Sequence, residues 1–257
     1  MKILCIGDVV GKIGCEFLRS KLSGIKRYYG VDLVICNGEN SADGNGITPV
    51  SADFLFDSGV DVITLGNHSF RRREIYEYLE DKPYIIRPAN FPDSTTPGVG
   101  HCVVDMGRYQ VTVINVMGTM FMDSQLDSPF DTVDRILKNT DSKITVVDFH
   151  AETTSEKLAM GYYLDGRATV VFGTHTHVQT SDERVLQNGT GYITDLGMTG
   201  PQNSVLGVKP EIIIEKFRTR LPVRFELQRG ECKLEAALFE IDEKSYKTIS
   251  VKRLRIV

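Results

Sequence analysis

Four of the five histidines in this 257-residue chain stand at the ends of short apolar runs, in company with buried-looking acids and amides. Asp8 follows the run 2–6 through Gly7. Asn37-Gly38-Glu39-Asn40 follows 33–36, and Gly66-Asn67-His68 follows 62–65. His150 closes the run 144–149, and Thr174-His175-Thr176-His177 follows 168–173. Asp, Glu, Asn and His together form the ligand set of divalent transition metals such as Mn, Fe or Zn. The His-x-His pair is the strongest single signal, because alternate residues of an extended segment share a face and can grip adjacent ions. Taken singly, the other pieces are ordinary: Asp8 reads as a turn or cap, Gly-Glu-Asn as a loop, and His150 as a hydrogen-bonded structural histidine. The ordered set of five is not ordinary, since every member sits behind an apolar run.

Ligands this far apart in sequence make one site only if the fold gathers them. The runs 2–6, 33–36, 62–65, 144–149 and 168–173 read as buried strands. Helical spacing falls between them over 14–27, where Phe17, Leu18, Leu22 and Ile25 recur, and over 73–79, 130–137 and 155–164. Thr48-Pro49 supplies an N-cap and a first-position proline. Strand–helix alternation is the signature of parallel pairing, and parallel strands deliver their carboxyl ends to one edge, where open α/β sheets bind ligands. Residues 86–100 read as a long loop. Residues 101–106 and 110–116 read as a hairpin around Gly107-Arg108. The tail carries short strands at 183–186 and 192–194, a helix over 210–218, and two alternating strands at 235–241 and 248–254. No repeat or linker composition interrupts the chain, so one domain over residues 1–257 is expected.

Composition narrows the partners. With 30 Lys+Arg against 34 Asp+Glu, the net charge is −4, which gives no footprint for duplex nucleic acid. Hydrophobic residues at 41% and charged residues at 25% are ordinary for a globular chain. No apolar run reaches the roughly 18–20 residues that span a bilayer, so no membrane partner is expected. Cys5, Cys15, Cys36, Cys102 and Cys232 are odd in number and scattered, which predicts buried reduced thiols and a cytoplasmic protein.

The order of Asp, a second acid, Gly-Asn-His, His and His-x-His resembles the calcineurin-like metallophosphoesterase superfamily. More closely, the chain resembles the bacterial YmdB-type family of cyclic-nucleotide phosphodiesterases. The segments that carry the likeness are Ile6–Gly11, Asn37-Gly38-Glu39-Asn40, Gly66-Asn67-His68, Phe149-His150-Ala151-Glu152, residues 173–180 and residues 195–201. The resemblance implies an α/β fold: a two-sheet β-sandwich flanked by helices around two metal ions. It implies that Asp8, Glu39, Asn40 and His177 hold one ion. Glu39, Asn67, His150 and His175 would hold the other, with Glu39 bridging. Iron or manganese is expected first, with zinc also admitted by these ligands. His68 is not a ligand in this scheme; it protonates the leaving group after attack by a hydroxide that the metals share. Where the broad superfamily has Asp-x-His, Val10 takes the histidine's place, and Glu39 stands for the usual Asp. The YmdB-type family shares both features. A further difference is local: Ser69-Phe70-Arg71 replaces that family's Thr-Trp-Asp.

The resemblance thus implies a phosphodiesterase acting on small phosphodiesters, 2′,3′- or 3′,5′-cyclic nucleotides, in a homo-oligomer. The competing expectation is a regulatory protein that binds metal and nucleotide with slow or incidental turnover. Three further features carry two readings each or more. Arg71-Arg72-Arg73 is a solvated face or a phosphate clamp. Gly44-Asn45-Gly46-Ile47 is a turn or a loop approaching a ligand. Residues 117–122 line a nucleoside pocket, an oligomer contact or the core. His101 opens a strand and is left out of the site.

Overall fold

Continuous apolar strands need cover on both faces, and that demand sets the architecture. The computed structural model describes residues 1–92, 94–122 and 126–257. The first half runs β1 (Lys2–Ile6), β2 (Asp8–Val9), α1 (Gly11–Tyr29), β3 (Leu33–Asn37), α2 (Pro49–Asp57), β4 (Val62–Thr64), α3 (Ile75–Asp81), β5 (Ile85–Ile86), β6 (His101–Asp105) and β7 (Gln110–Met117). The second runs α4 (Pro129–Lys138), β8 (Ile144–His150), α5 (Thr154–Tyr163), β9 (Val170–Thr174), β10 (Arg184–Val185), β11 (Gly191–Ile193), β12 (Met198–Pro201), α6 (Pro210–Thr219), β13 (Cys232–Ile241) and β14 (Thr248–Ile256).

Among the described residues, one sheet has the order β2-β12-β13-β1-β3-β4-β5, with β14 on β13, and the other β10-β11-β9-β8-β7-β6. β1, β3, β4 and β5 are parallel, as are β7, β8, β9 and β11. Side-chain alternation along each strand then divides the core into layers. Ile3, Cys5, Leu33, Ile35 and Val62 face Val111, Val113, Val146, Val170 and Phe172 between the sheets. Their neighbours Leu4, Ile6, Val34 and Cys36 turn outward onto Leu18, Leu22 and Ile25 of α1. On the far side, Val147, Phe149 and Val171 turn onto Val133, Ile136 and Met160. The result is helices, sheet, sheet, helices, as the sequence leads one to expect.

The differences from expectation are informative. α1 begins at Gly11, three residues before its apolar spacing starts. Its first N–H groups are satisfied from outside the helix: Gly11 N donates to the Asn40 carbonyl at 2.8 Å and Lys12 N to Asp43 Oδ1 at 2.9 Å. The short strands β2, β5 and β12 have no periodicity to announce them. β2 pairs in parallel with β12 through Asp8 and Met198. Gly7 makes that approach feasible, since a Cβ there would lie 2.2 Å from the Gly197 carbonyl oxygen. The N-cap predicted at Thr48 forms, with Thr48 Oγ1 accepting from Ser51 N at 3.1 Å. The described part of 86–100 is a loop tied back where Ile86 bridges Val99.

Candidate metal centre

Five strand ends build one pocket wall. β1 hands the chain to Asp8. β3 hands it to Glu39, whose N–H donates to Asn37 Oδ1 at 3.1 Å. β4 leads through Gly66 to Asn67 and His68. Gly66 is required there, because a Cβ would fall 2.3 Å from His150 Nε2. β8 ends on His150. β9 ends on Thr174, and the chain then turns sharply, with His175 at φ 100° and His177 at φ 61°. Two non-glycine residues in that region store backbone strain, which persists only where the surroundings impose it.

The predicted ligands converge. His150 Nε2 lies 2.9 Å from Asn67 Oδ1, 3.2 Å from His175 Nδ1 and 3.5 Å from Glu39 Oε2. One donor atom each from Glu39, His150 and His175 lies within 4.8 Å of the others. On the other side of Glu39, His177 Nε2 lies 3.6 Å from Asp8 Oδ1 and 3.4 Å from Asn40 Nδ2. Asn40 Nδ2 donates to Glu39 Oε1 at 2.8 Å, while Asn40 Oδ1 faces His68 Nδ1 at 2.9 Å. Ligation by Asn40 uses Oδ1, so the amide must turn over to present it beside His177. His68 N donates to Glu39 Oε2 at 2.9 Å, and its ring Nδ1 sits 3.1 Å from Glu39 Oε1. The Nε2 edge of His68 makes no hydrogen bond among the described residues.

Burial would push these acids toward neutrality, yet the imidazoles outweigh it. The Asp8 carboxyl is buried, but His177 and His150 hold it well below the usual carboxylate range. Burial raises Glu39 too, while His150 and His68 bring it down to about 2. Desolvation depresses the His150 imidazole to about 4, against the pull of Glu39. Burial also lowers His177, but Asp8 overcomes this and raises it. The centre therefore holds anionic carboxylates and a neutral His150, the forms that ligate metal.

The donor set fits metal on further grounds. Asp8 Oδ1 is buried and has no hydrogen-bond partner among the described residues. His150 Nδ1 meets Thr174 Oγ1 at 2.9 Å, and that hydroxyl donates to Asp148 Oδ1 at 2.7 Å. A hydroxyl that donates to the carboxylate accepts from Nδ1–H, which leaves the Nε2 lone pair facing the cluster. His175 is oriented similarly: Nε2 meets Glu152 Oε2 at 2.9 Å and Nδ1 faces inward.

Several of these supporting groups escape the sequence reading. Asp148 interrupts the apolar run 144–149, and that interruption is its one signal; burial pushes its carboxyl up to about 7 against donors from Thr64 and Thr174. Lys157 and Asp195 form a buried ion pair that no motif announces. Arg72 donates from Nε to the Asn45 carbonyl at 3.0 Å and from Nη2 to that of Asp43, pinning the Gly44-Asn45-Gly46 loop. Arg71 and Arg73 are exposed. Ser69 Oγ donates to the Gly66 carbonyl, and Phe70 stacks edge-on against Tyr76 and Phe91. Met117 is core, whereas Met120 and Phe121 are exposed on a loop whose Thr119 N–H donates to Glu156 Oε1 at 2.8 Å. His101 is exposed at the start of β6.

The chain is similar to known proteins over its full length. The model of the YmdB-like protein family matches residues 4–254. A Bacillus subtilis (strain 168) protein named 2′,3′-cyclic-nucleotide 2′-phosphodiesterase is 44% identical over 258 residues, covering 100% of this chain and 97% of that protein. The crystal structure of a novel phosphatase from Mycoplasma pneumoniae superposes with a TM-score of 0.95 at 35% identity, over 100% of this chain and 93% of that one. A hypothetical protein from Thermus thermophilus gives 0.93 at 39% identity, over 100% and 99%. The two-sheet sandwich is a metallophosphoesterase-type fold. On its sequence and its fold, this chain belongs to the YmdB-like protein family.

Proposed function

We propose that the protein is a metal-dependent phosphodiesterase that hydrolyses small cyclic nucleotides in one metallophosphoesterase domain, residues 1–257. The observation that carries this reading is the convergence of Asp8, Glu39, Asn40, Asn67, His150, His175 and His177 on one cluster, with Asp8 Oδ1 buried and without a hydrogen-bond partner among the described residues. Asp8, Glu39, Asn40 and His177 would hold one ion; Glu39, Asn67, His150 and His175 the other. Glu39 suits the bridge because Oε2 lies toward His150 while Oε1 lies beside Asn40. Iron or manganese is the metal of this proposal, and zinc fits the same N/O donors. When bound, the two ions supply an activated water and neutralise charge on the phosphate.

The chain's own residues do the rest. His68 Nδ1 sits 3.1 Å from Glu39 Oε1, so Nε2 is the atom directed away from Glu39 toward a leaving group. A proton delivered there spares the departing alkoxide its charge. His68 is therefore the general acid, and a site built only to bind would have no use for it. The named Bacillus subtilis relative supports 2′,3′-cyclic nucleotides as the first substrate to try, with 3′,5′-cyclic nucleotides second.

No described helix is long and apolar enough to cross a membrane. Five buried unpaired cysteines suit the reducing cytoplasm, where we place the protein. We further infer a homo-oligomer joined through α6. Ile214 and Phe217 on α6, and Leu221 just past its cap, are more than half exposed. Along the chain, Glu211 and Glu215 come before Lys216 and Arg218, with Arg220 at the cap. Two copies crossing antiparallel would bury the stripe and match opposite charges, as a twofold interface requires.

The reading is tested by incubating metal-loaded protein with 2′,3′-cyclic and 3′,5′-cyclic AMP and following the monophosphate products. Opening of the 2′,3′ ring is expected. Failure to hydrolyse either compound, with metal bound, overturns it.

A further inference from the structure

Behind the His175–His177 turn lies a buried ion pair that the proposed chemistry does not use. Lys157 on α5 and Asp195 beyond β11 are each 1% exposed, with Nζ and Oδ2 at 2.6 Å. The lysine stem passes Gly173, where a Cβ would lie 2.9 Å from its Cδ. A buried pair of this kind is weak evidence for stability, since apolar residues of equal volume often serve as well. What it holds is more telling.

Asp195 Oδ2 accepts from Thr176 N at 3.1 Å and from Thr176 Oγ1 at 2.8 Å. Thr176 is the residue between the two strained histidines. The other oxygen, Oδ1, accepts from Gly197 N at 2.9 Å, and the Gly197 carbonyl accepts from Asp8 N at 3.1 Å. One carboxylate thus ties the turn that carries His177 to the backbone that carries Asp8. Lys157 holds the carboxylate itself, so its second oxygen stays available to Gly197. Asp8 and His177 come from distant parts of the sequence and meet at 3.6 Å.

We propose that the Lys157–Asp195 pair is a positioning device for the ion held between Asp8 and His177. It imposes the strained His-Thr-His turn before metal arrives and fixes its distance from Asp8. Lys157, Asp195 and Thr176 touch neither metal nor substrate. They act through the backbone of the two ligands. The other ion shares His175 of the same turn, whose N–H donates to Asp8 Oδ2 at 3.2 Å, but its remaining ligands Asn67 and His150 come from β4 and β8, outside the reach of this pair, so it is the less affected of the two. This inference rests on the two-ion assignment above.

The test counts metal per chain and measures each ion's affinity by chelator competition, in wild type, Asp195→Asn and Thr176→Val. Circular dichroism verifies the fold of each. Wild type should hold about two ions. Asp195→Asn should keep one and bind the second roughly 10–100-fold more weakly, the loss typical when an outer partner of a ligand is removed. Thr176→Val, which deletes one hydroxyl, should weaken the same ion by a smaller factor and remains informative if Asp195→Asn does not fold. Uniform weakening of both ions, or unchanged affinities in folded Thr176→Val, overturns the proposal. Wild type that binds fewer than two ions overturns the two-ion reading instead.

Discussion

His150 Nε2 and His175 Nδ1 face each other at 3.2 Å. With the Nδ1 proton of His150 given to Thr174 and the Nε2 proton of His175 to Glu152, both inner nitrogens present lone pairs. Asn67 Oδ1 and Glu39 Oε2 add further lone pairs around the same point. A cation seated among these four atoms would be attracted by all of them. Metal should therefore stabilise the folded chain markedly. At a hundredfold excess over Kd the gain is about 2.7 kcal/mol, or roughly 5–10 °C in thermal midpoint. Differential scanning calorimetry with and without chelator checks this; an unchanged midpoint contradicts it.

Replacing His68 separates proton delivery from metal binding. His68→Ala should lower turnover roughly 10²–10⁴-fold while leaving metal content unchanged. The loss should be largest for nucleotides with an alkoxide leaving group and small for p-nitrophenyl esters, whose leaving group departs without a proton. Equal losses for both substrates would remove His68 from the acid role.

Metal uptake should depend on pH through His177. Burial lowers His177, but Asp8 raises it above the ordinary histidine value of 6.5, so near pH 6.5 it carries a proton that metal must displace. His150, held down to about 4, and Glu39, at about 2, are already unprotonated there. Affinity should fall as pH drops through the His177 titration, with release of about one proton. Calorimetry at pH 6.5 in two buffers of different ionisation enthalpy reads the proton count. No release, or release of two or more, would show that the charge distribution is different.

The exposed stripe of α6 predicts an assembly that one charge can break. Wild type should sediment as an oligomer at micromolar concentration. Phe217→Asp should sediment as a monomer with unchanged circular dichroism, because Phe217 is 63% exposed in the protomer. A monomeric wild type contradicts the α6 interface.

Much of the site is legible in the sequence because each ligand follows a continuous apolar run. The runs ending near Ile6, Cys36, Leu65, Phe149 and Gly173 mark β1, β3, β4, β8 and β9, and their order supplies the ligand set. What the sequence hides is support from far away. Asp195 lies 38 residues from Lys157, and neither has a pattern that names the other. Asp148 looks like a flaw in a strand until Thr64 and Thr174 are seen around it. Arg72 stands in a run of three arginines, and only the fold shows it gripping loop carbonyls. β2 and β12 are too short for periodicity; they exist because Gly7 lets two backbones meet.

Glu39 stands between the two ligand groups, Oε2 toward His150 and Oε1 beside Asn40, so it would help hold both of the ions that hydrolysis requires. The most direct test of this role is metal content together with hydrolysis of bis-p-nitrophenyl phosphate, on wild type and Glu39→Gln. Wild type should hold about two ions per chain and show diesterase activity, and both should collapse in the variant. Activity that survives Glu39→Gln, or a wild type that neither binds metal nor gains activity when manganese or iron is added, would contradict it.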